Sequence, residues 1–467
     1  MLQTEAHHEA AAQVRISAAR LGSEQFKRAY GIKYAYLAGA MYKGIASKEV
    51  VVAMAKAGLM GYLGTGGLRL DRIESDIRSI QSQLPADGRY GMNLLSDLSQ
   101  PELEQRTVEL LLGCGVRFVE AAAYMQVSPS LVRYRSKGLK RRSDGRIEAP
   151  HRVLAKISRP EVATAFMQPA PEAILRQLVQ AGHLSAEEAD LSRLLPVASE
   201  ICVEADSGGH TDRGVAHVLM PVMLSIRDEM MAEHGYGETI HVGAAGGIGT
   251  PEAAAAAFVM GADFILTGSI NQCTVEAGTS VAVKDMLETA GPQDTAYAPA
   301  GDMFELGAKV QVFKKGIFFP ARANKLYELY LRHNSLDEID LKTRRQIEEK
   351  YFRRSFDDIW QETKSYYLAA GRSRLEELER SPKLKMALIF RWYFVHTSRL
   401  AMNGDEQQKL DYQIHCGPAL GAFNRWVKGT ALESWRNRHV ADIAERLLNA
   451  TADRLNDRFA QLTGGLA

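Results

Sequence analysis

The chain has little cysteine, almost no net charge and no long apolar run. Its 467 residues include four cysteines (Cys114, Cys202, Cys273, Cys416), widely spaced and without a C-x-x-C pair. That argues against a zinc site or a disulfide framework and for a reducing cytoplasm. Lys plus Arg number 57 against 56 Asp plus Glu, a formal charge of +1. No global field therefore draws the chain to nucleic acid or a membrane surface. No apolar run approaches the roughly 20 residues of a membrane-spanning helix, and the N-terminus lacks the apolar core of a signal peptide. Repeats and low-complexity tracts are absent too. The rest is ordinary for a globular protein, 46% hydrophobic and 24% charged.

What is present centres on Ile240 to Asn271. Ile240 to Ala244 reads as a buried strand closing in Gly246-Gly247-Ile248-Gly249. Thr250, Pro251 and Glu252 then supply an N-cap, a first helical position and a first-turn acid. Ala253 to Met260 continues as helix, Gly261 ends it, and Phe264 to Leu266 begins the next strand. Glycines at the mouth of a helix let free N–H groups approach an anion, which the helix dipole also favours. A phosphate is the obvious guest, and Thr267-Gly268-Ser269 at the next strand end can grip it from the other side. The bland alternative is a glycine turn that serves only to turn tightly.

Six earlier strands precede this pair: Lys33 to Lys43, Gly61 to Gly67, Arg89 to Leu95, Val116 to Ala123, Arg152 to Ser158 and Ile201 to Ala205. Helices fall between them. One is capped by Ser47 and one starts at Asp71 with Glu74 at capping-box spacing. Others start at Pro101, Pro160, Pro171 and at Ser185, where Glu188 fits a capping box. Eight strands each followed by helix is the count of a (β/α)8 barrel, the TIM barrel. A doubly wound sheet is the runner-up, but it usually keeps one phosphate-binding glycine turn, after its first strand. Here glycines recur at the ends of strands one, two, six, seven and eight, as a ring of strand ends around one cleft requires.

From about residue 272 the pattern turns almost wholly helical. Ser335 to Glu338 reads as a capping box before a helix over Ile339 to Tyr351, and Ser381-Pro382 starts another. All four tryptophans (Trp360, Trp392, Trp426, Trp435) fall here, at spacings that suit a core better than a binding surface. The expected division is a leader over 1–30, a barrel over 31–271 and a C-terminal helical cap over 272–467, which also offers a dimer surface.

Alternate strand residues share a face. Lys156 thus aligns with Leu154 and Ser158, Glu204 with Cys202 and Asp206, and Glu120 with Phe118 and Ala122. If these faces point inward, a cation and several carboxylates meet near the C-terminal end of the barrel. The bland reading is a structural ion network; the functional one is a cofactor cradle, with Lys156 stabilising a reduced flavin. His210, after Gly208 and Gly209 in the loop beyond strand six, can donate a proton or polarise a carbonyl. Asn93 can hydrogen-bond a ring edge. The basic run Lys137 to Arg146 reads as a solvated loop, or as a dock for an acidic carrier protein.

Several segments, A-G-A-M-Y-K-G-I-A-S, G-T-G-G-L, G-M-N-L-L, A-K-I-S-R-P-E, E-A-D-S-G-G-H-T-D, A-A-G-G-I-G-T-P-E-A, T-G-S-I-N-Q-C-T-V-E-A-G-T-S and D-Y-Q-I-H-C-G-P-A-L-G-A-F-N among them, closely resemble the PfaD-type trans-acting enoyl reductases. These serve polyunsaturated fatty acid synthases and trans-acyltransferase polyketide synthases. The resemblance runs from about Lys33 onward. It implies a TIM barrel holding FMN, with NAD(P)H as reductant and an enoyl thioester on an acyl carrier protein as substrate. It further implies phosphate contacts at Gly246, Gly247, Gly268 and Ser269 and a ring-edge contact at Asn93. Gly208 and Gly209 would lie against the flavin with His210 in the catalytic position, and Met41 and Lys156 would contact the ring. Nitronate monooxygenases of the same superfamily usually carry a Gln in the sixth strand, where this chain has Val203 or Glu204. A nitronate-oxidising flavoenzyme and a catalytically idle docking subunit are the competing expectations.

Overall fold

The computed structural model describes residues 15–96, 100–369 and 380–464. Eight parallel strands close into a barrel: β1 (Tyr36–Ala38), β2 (Met60–Leu63), β3 (Gly91–Leu95), β4 (Phe118–Ala122), β5 (Arg152–Ile157), β6 (Glu200–Glu204), β7 (His241–Ala245) and β8 (Ile265–Thr267). Each pairs with its neighbour in sequence, and β8 closes on β1 through Tyr36 opposite Ile265. Strand β1 is much shorter than the apolar run Lys33 to Lys43. Lys43 and Gly44 take φ of 53° and 70°, a left-handed turn that ends extended backbone and folds the chain across the barrel mouth.

Local chemistry sets most helix starts. The side chains of Ser47, Ser128, Ser185 and Thr250 each accept a first-turn backbone N–H, and Glu188 completes the expected capping box. Two other expected boxes do not form. The helix Leu70–Gln83 begins one residue early, with Arg69 at the cap and the Asp71 carboxylate drawn 3.2 Å from the Arg69 guanidinium. Ser335 opens only a 3-10 turn, because Glu338 accepts from Asn334 N at 2.8 Å instead. The following helix starts at Leu341 under an Asp340 cap.

The barrel floor is closed by the helix Glu24–Tyr30, which falls within the segment read as a leader; residues 1–14 of that segment lie outside the described residues. Phe26 stacks on Phe264 at 4.3 Å, and its complete burial contributes about 1.5–3 kcal/mol. Tyr30 donates to Glu200 Oε2 at 2.8 Å, and Arg152 holds Glu200 Oε1 at 2.5 Å. The buried carboxylate is thus paired and hydrogen-bonded rather than stranded.

Beyond β8 the chain is not wholly helical. Thr295–Pro299 and Lys309–Phe313 pair antiparallel, and the second of them also pairs with Gly209–His210. The run Lys-Val-Gln-Val-Phe has the period of a strand. It buries Val310 and Val312 in a second core with Phe304, Phe319, Phe390 and Phe394. Trp360 and Trp392 belong to that second core, Trp426 and Trp435 to the barrel's own. The last helix, Val440–Leu462, packs between the helices Lys48–Lys56 and Pro251–Val259. It takes the place of the eighth barrel helix, so residues 272–439 are an insertion between β8 and its helix. The basic run forms a small exposed hairpin, Lys140–Arg141 against Ile147–Glu148. Among the described residues no helix is long and apolar enough to cross a membrane.

Candidate active site at the barrel mouth

The inward faces of β4, β5 and β6 bring charges together as their alternation requires. Lys156 Nζ lies 3.4 Å from Glu120 Oε1 and 3.4 Å from Glu204 Oε1. Glu120 is fully buried and its Oε2 accepts from Ala40 N at 2.9 Å, which ties the end of β1 to this cluster. Burial raises the Glu120 carboxyl against the pull of Lys156. Burial works against the Lys156 charge, yet Glu204 and Glu120 outweigh it and raise the ammonium.

Beside this cluster the ends of β6, β7 and β8 are adjacent. Gly246 and Gly247 follow β7 with φ of 84° and 73°, a backbone only glycine takes without strain. A side chain on Gly246 would begin 2.5 Å from the Ala205 carbonyl, whereas one on Gly247 or Gly268 would meet nothing within 4 Å. Gly208 is packed so closely that its Cβ would fall 2.7 Å from Gly417 N and 2.9 Å from Ser269 Oγ. Ser269 Oγ in turn accepts from Gly417 N at 3.0 Å. Gly417 caps the helix Pro418–Trp426, so a helix N-terminus from the insertion meets the glycine ends of the barrel strands.

His210 is not in a free loop: it is the last residue of the short strand Gly209–His210, opposite Val310. Its Nε2 lies 2.9 Å from Asp302 Oδ1. Burial disfavours the imidazolium, but the Asp302 carboxylate outweighs that effect and raises the ring's pKa. Lys43 and Arg213, both non-glycine residues at positive φ (53° and 58°), flank this mouth after β1 and β6. Such backbone strain concentrates at functional rims.

Comparison with known proteins gives this arrangement a lineage. The chain superposes on the crystal structure of the enoyl reductase domain of MlnA, from the macrolactin cluster of Bacillus amyloliquefaciens, with a TM-score of 0.91 and 47% identity, over 95% of this chain and 99% of that one. The chain belongs to the MlnA enoyl reductase family. It is also 58% identical to the polyketide biosynthesis protein PksE of Bacillus subtilis (strain 168), over 96% of this chain and 58% of PksE. A polyunsaturated fatty acid synthase subunit of Thraustochytrium sp. (strain ATCC 26185 / S-3) is 43% identical, over 88% of this chain and 28% of that protein. The chain thus spans less than two thirds of either curated relative. Residues 333–412 match the model of the inserted helical domain of [acyl-carrier-protein] S-malonyltransferase.

The mouth of this enoyl reductase family member has room and polar groups for a flavin. The open faces of Gly247 and Gly268 stand at adjacent strand ends, as a phosphate between them requires. Gln311 Oε1 is buried without a hydrogen-bond partner, 3.3 Å from the position of a Cβ on Gly417, and suits a ribityl hydroxyl. The residues therefore fit the group. Asn93 is buried; its Nδ2 donates to the Glu120 carbonyl at 3.0 Å, leaving its own side-chain oxygen for a ligand. Met41 is half-buried, and its main chain crosses so near Gly64 that a Cβ there would overlap the Met41 carbonyl. Sequence reasoning did not assign Asp302, Gln311, His415 or Gly417. The only signal for the last two was their place in the Gln-Ile-His-Cys-Gly-Pro segment. Among the described residues no cluster suits a metal ion.

Proposed function

We propose that this chain is an FMN-dependent, trans-acting enoyl reductase. It reduces the α,β-double bond of enoyl thioesters carried on acyl carrier protein, with NAD(P)H as reductant, within a cytoplasmic polyketide or polyunsaturated fatty acid synthase. The observation that carries the reading is the juxtaposition of an open, glycine-lined anion site with a carboxylate-paired histidine on one barrel rim. The whole-length likeness to a domain named enoyl reductase supports it.

Bound there, FMN supplies hydride chemistry between the nicotinamide and the enoyl β-carbon. Gly246, Gly247, Gly268 and Ser269 would hold its phosphate, and Gly208, Gly209, Asn93, Met41 and Lys156 would line its ring. Lys156 is kept charged by two carboxylates and would set a fixed positive charge beside the ring. His210 carries the proton for the α-carbon, and Asp302 both orients the imidazole and keeps that proton on it. We assign the insertion, residues 272–439, to the carrier-protein side of the site.

The test is His210→Ala. The variant is expected to bind FMN as the wild type does and to lose about 10²–10⁴-fold in turnover of an enoyl thioester, the usual worth of a positioned acid. Unchanged turnover removes His210 from the mechanism. Oxygen-dependent consumption of a nitronate without NAD(P)H would replace the reading with that of a flavin oxidase. A colourless protein that binds only carrier protein would make it a docking subunit.

A further inference from the structure

A second histidine stands at the same mouth. His415 lies on a segment that continues the inserted sheet: it bridges Val312, and Cys416 N donates to the Gln311 carbonyl. Its ring stacks on Tyr42 with centroids 5.5 Å apart and planes 15° off parallel. Gln413 Nε2 donates to His415 Nε2 at 2.7 Å. A ring nitrogen that accepts carries no proton, so the neutral imidazole keeps its single proton on Nδ1. Nδ1 lies 3.6 Å from where a side chain on Gly209 would begin, against the turn that carries His210, and no described residue bonds it.

Resting on the reading above, we propose that His415 presents Nδ1–H to the carbonyl oxygen of the bound thioester, and that Gln413 is the positioning residue that fixes this tautomer. Hydride addition at the β-carbon breaks the C=C π bond and sends its electron pair through the α-carbon to the thioester oxygen. A donor that keeps its proton stabilises that oxygen without quenching it. His210 then gives its proton to the α-carbon, the carbonyl re-forms, and solvent restores the proton.

The surroundings divide the two rings in this way. Burial, then the charge of His210 and that of Lys43, drive the His415 pKa down to about 4 against the opposing Asp302 carboxylate. His210 is raised by Asp302 and Glu204 against burial and Lys156. Titratable neighbours driven in opposite directions mark an acid and a neutral donor.

The experiment labels histidine with 15N in the full chain and reads both ring nitrogens of His415 without substrate. Enoyl-thioester kinetics are measured beside it. His415 is expected as the Nδ1–H tautomer, neutral down to about pH 5. Gln413→Glu, whose carboxylate accepts Nε2–H, reverses that signature. His415→Ala is expected to keep FMN and the KM for NAD(P)H while kcat falls about 10²-fold, as for loss of one oxyanion donor. His415→Asn, with an amide N–H in place of Nδ1–H, recovers part of it. An Nε2–H wild type overturns the proposal, as does a His415→Ala kcat within threefold of wild type. A wild type that reduces no enoyl thioester, yet shows the Nδ1–H signature, overturns the reading of the site and the donor role with it, but not the tautomer.

Discussion

Gly268→Ala separates the room the protein needs from the room its ligand needs. Gly268 has φ of −125°, outside the left-handed region, and a Cβ there meets no heavy atom within 4 Å. The methyl therefore clashes with nothing in the apoprotein, and the change in its stability is expected to stay within about 1 kcal/mol. In a chain of this size that moves Tm by no more than about 4 °C. If a phosphate occupies that space, the methyl displaces it from the backbone donors. Each charge-assisted hydrogen bond lost costs about 1.5–3 kcal/mol, or roughly 10- to 150-fold in Kd. The assay is quenching of flavin fluorescence on titrating apoprotein with FMN and, separately, with riboflavin, which lacks the phosphate. The variant is expected to lose FMN affinity and to keep that for riboflavin. Gly246→Ala is the contrast: at φ of +84° and 2.5 Å from the Ala205 carbonyl, its Cβ costs about 1–2 kcal/mol in backbone strain alone, so Tm and flavin binding fall together. An FMN Kd for Gly268→Ala within twofold of wild type, or an equal loss for both flavins, refutes the phosphate assignment.

Asp302→Asn removes the charge that raises His210 and leaves burial to lower it. A general acid works below its pKa, so the alkaline limb of kcat against pH is expected to move to lower pH; an unmoved limb excludes the pair from the proton step. Lys156→Met leaves Glu120 and Glu204 facing each other at the mouth and should cost about 3–5 kcal/mol near neutral pH, as removing one partner of a buried pair does. The Glu120 pKa is already raised by burial and rises further without the ammonium. The native state then binds more protons than the unfolded one, so this loss is relieved below the unfolded carboxyl pKa and grows as pH rises. Urea unfolding at pH 5 and pH 8 checks the sign, and equal losses at both would contradict it. Arg152→Met strands Glu200 at the opposite end of the barrel. It should lower stability by a similar 3–5 kcal/mol while the folded fraction keeps its FMN affinity, read from the same titration.

The barrel was legible because its signals are local. Ser47, Ser185 and Thr250 each announce a helix within three residues, and glycine ends the strands that feed the mouth. The alternation that aligned Lys156 with Glu120 and Glu204 needs only the period of a strand. The failures were local too: the Asp71 and Ser335 boxes lost to Arg69 and Asn334, which compete for the same groups over one or two residues. What stayed hidden depends on partners far along the chain. Asp302 is 92 residues from His210, and Gly417 is 148 from Ser269. No periodicity carries a pairing over such distances. The five-residue strand Lys309–Phe313 is also too short to outweigh the helical pattern around it.

The same long-range contacts decide what the inserted residues are for. A lid that only covers a barrel touches it from above and leaves its strand ends complete. Here the strand that carries His210 pairs with the insertion, at Val310 and Gln311. Asp302, which raises His210, comes from the insertion, and so does Gly417, whose N–H reaches Ser269 between the strand ends. The chain then returns to the barrel and supplies the eighth helix, Val440–Leu462, against the helices after β1 and β7. Both ends of the insertion are therefore fixed by the barrel, and the barrel's rim is finished by the insertion. His210, Asp302 and the glycine ends of the barrel strands can come together in this way only when both parts have folded against each other.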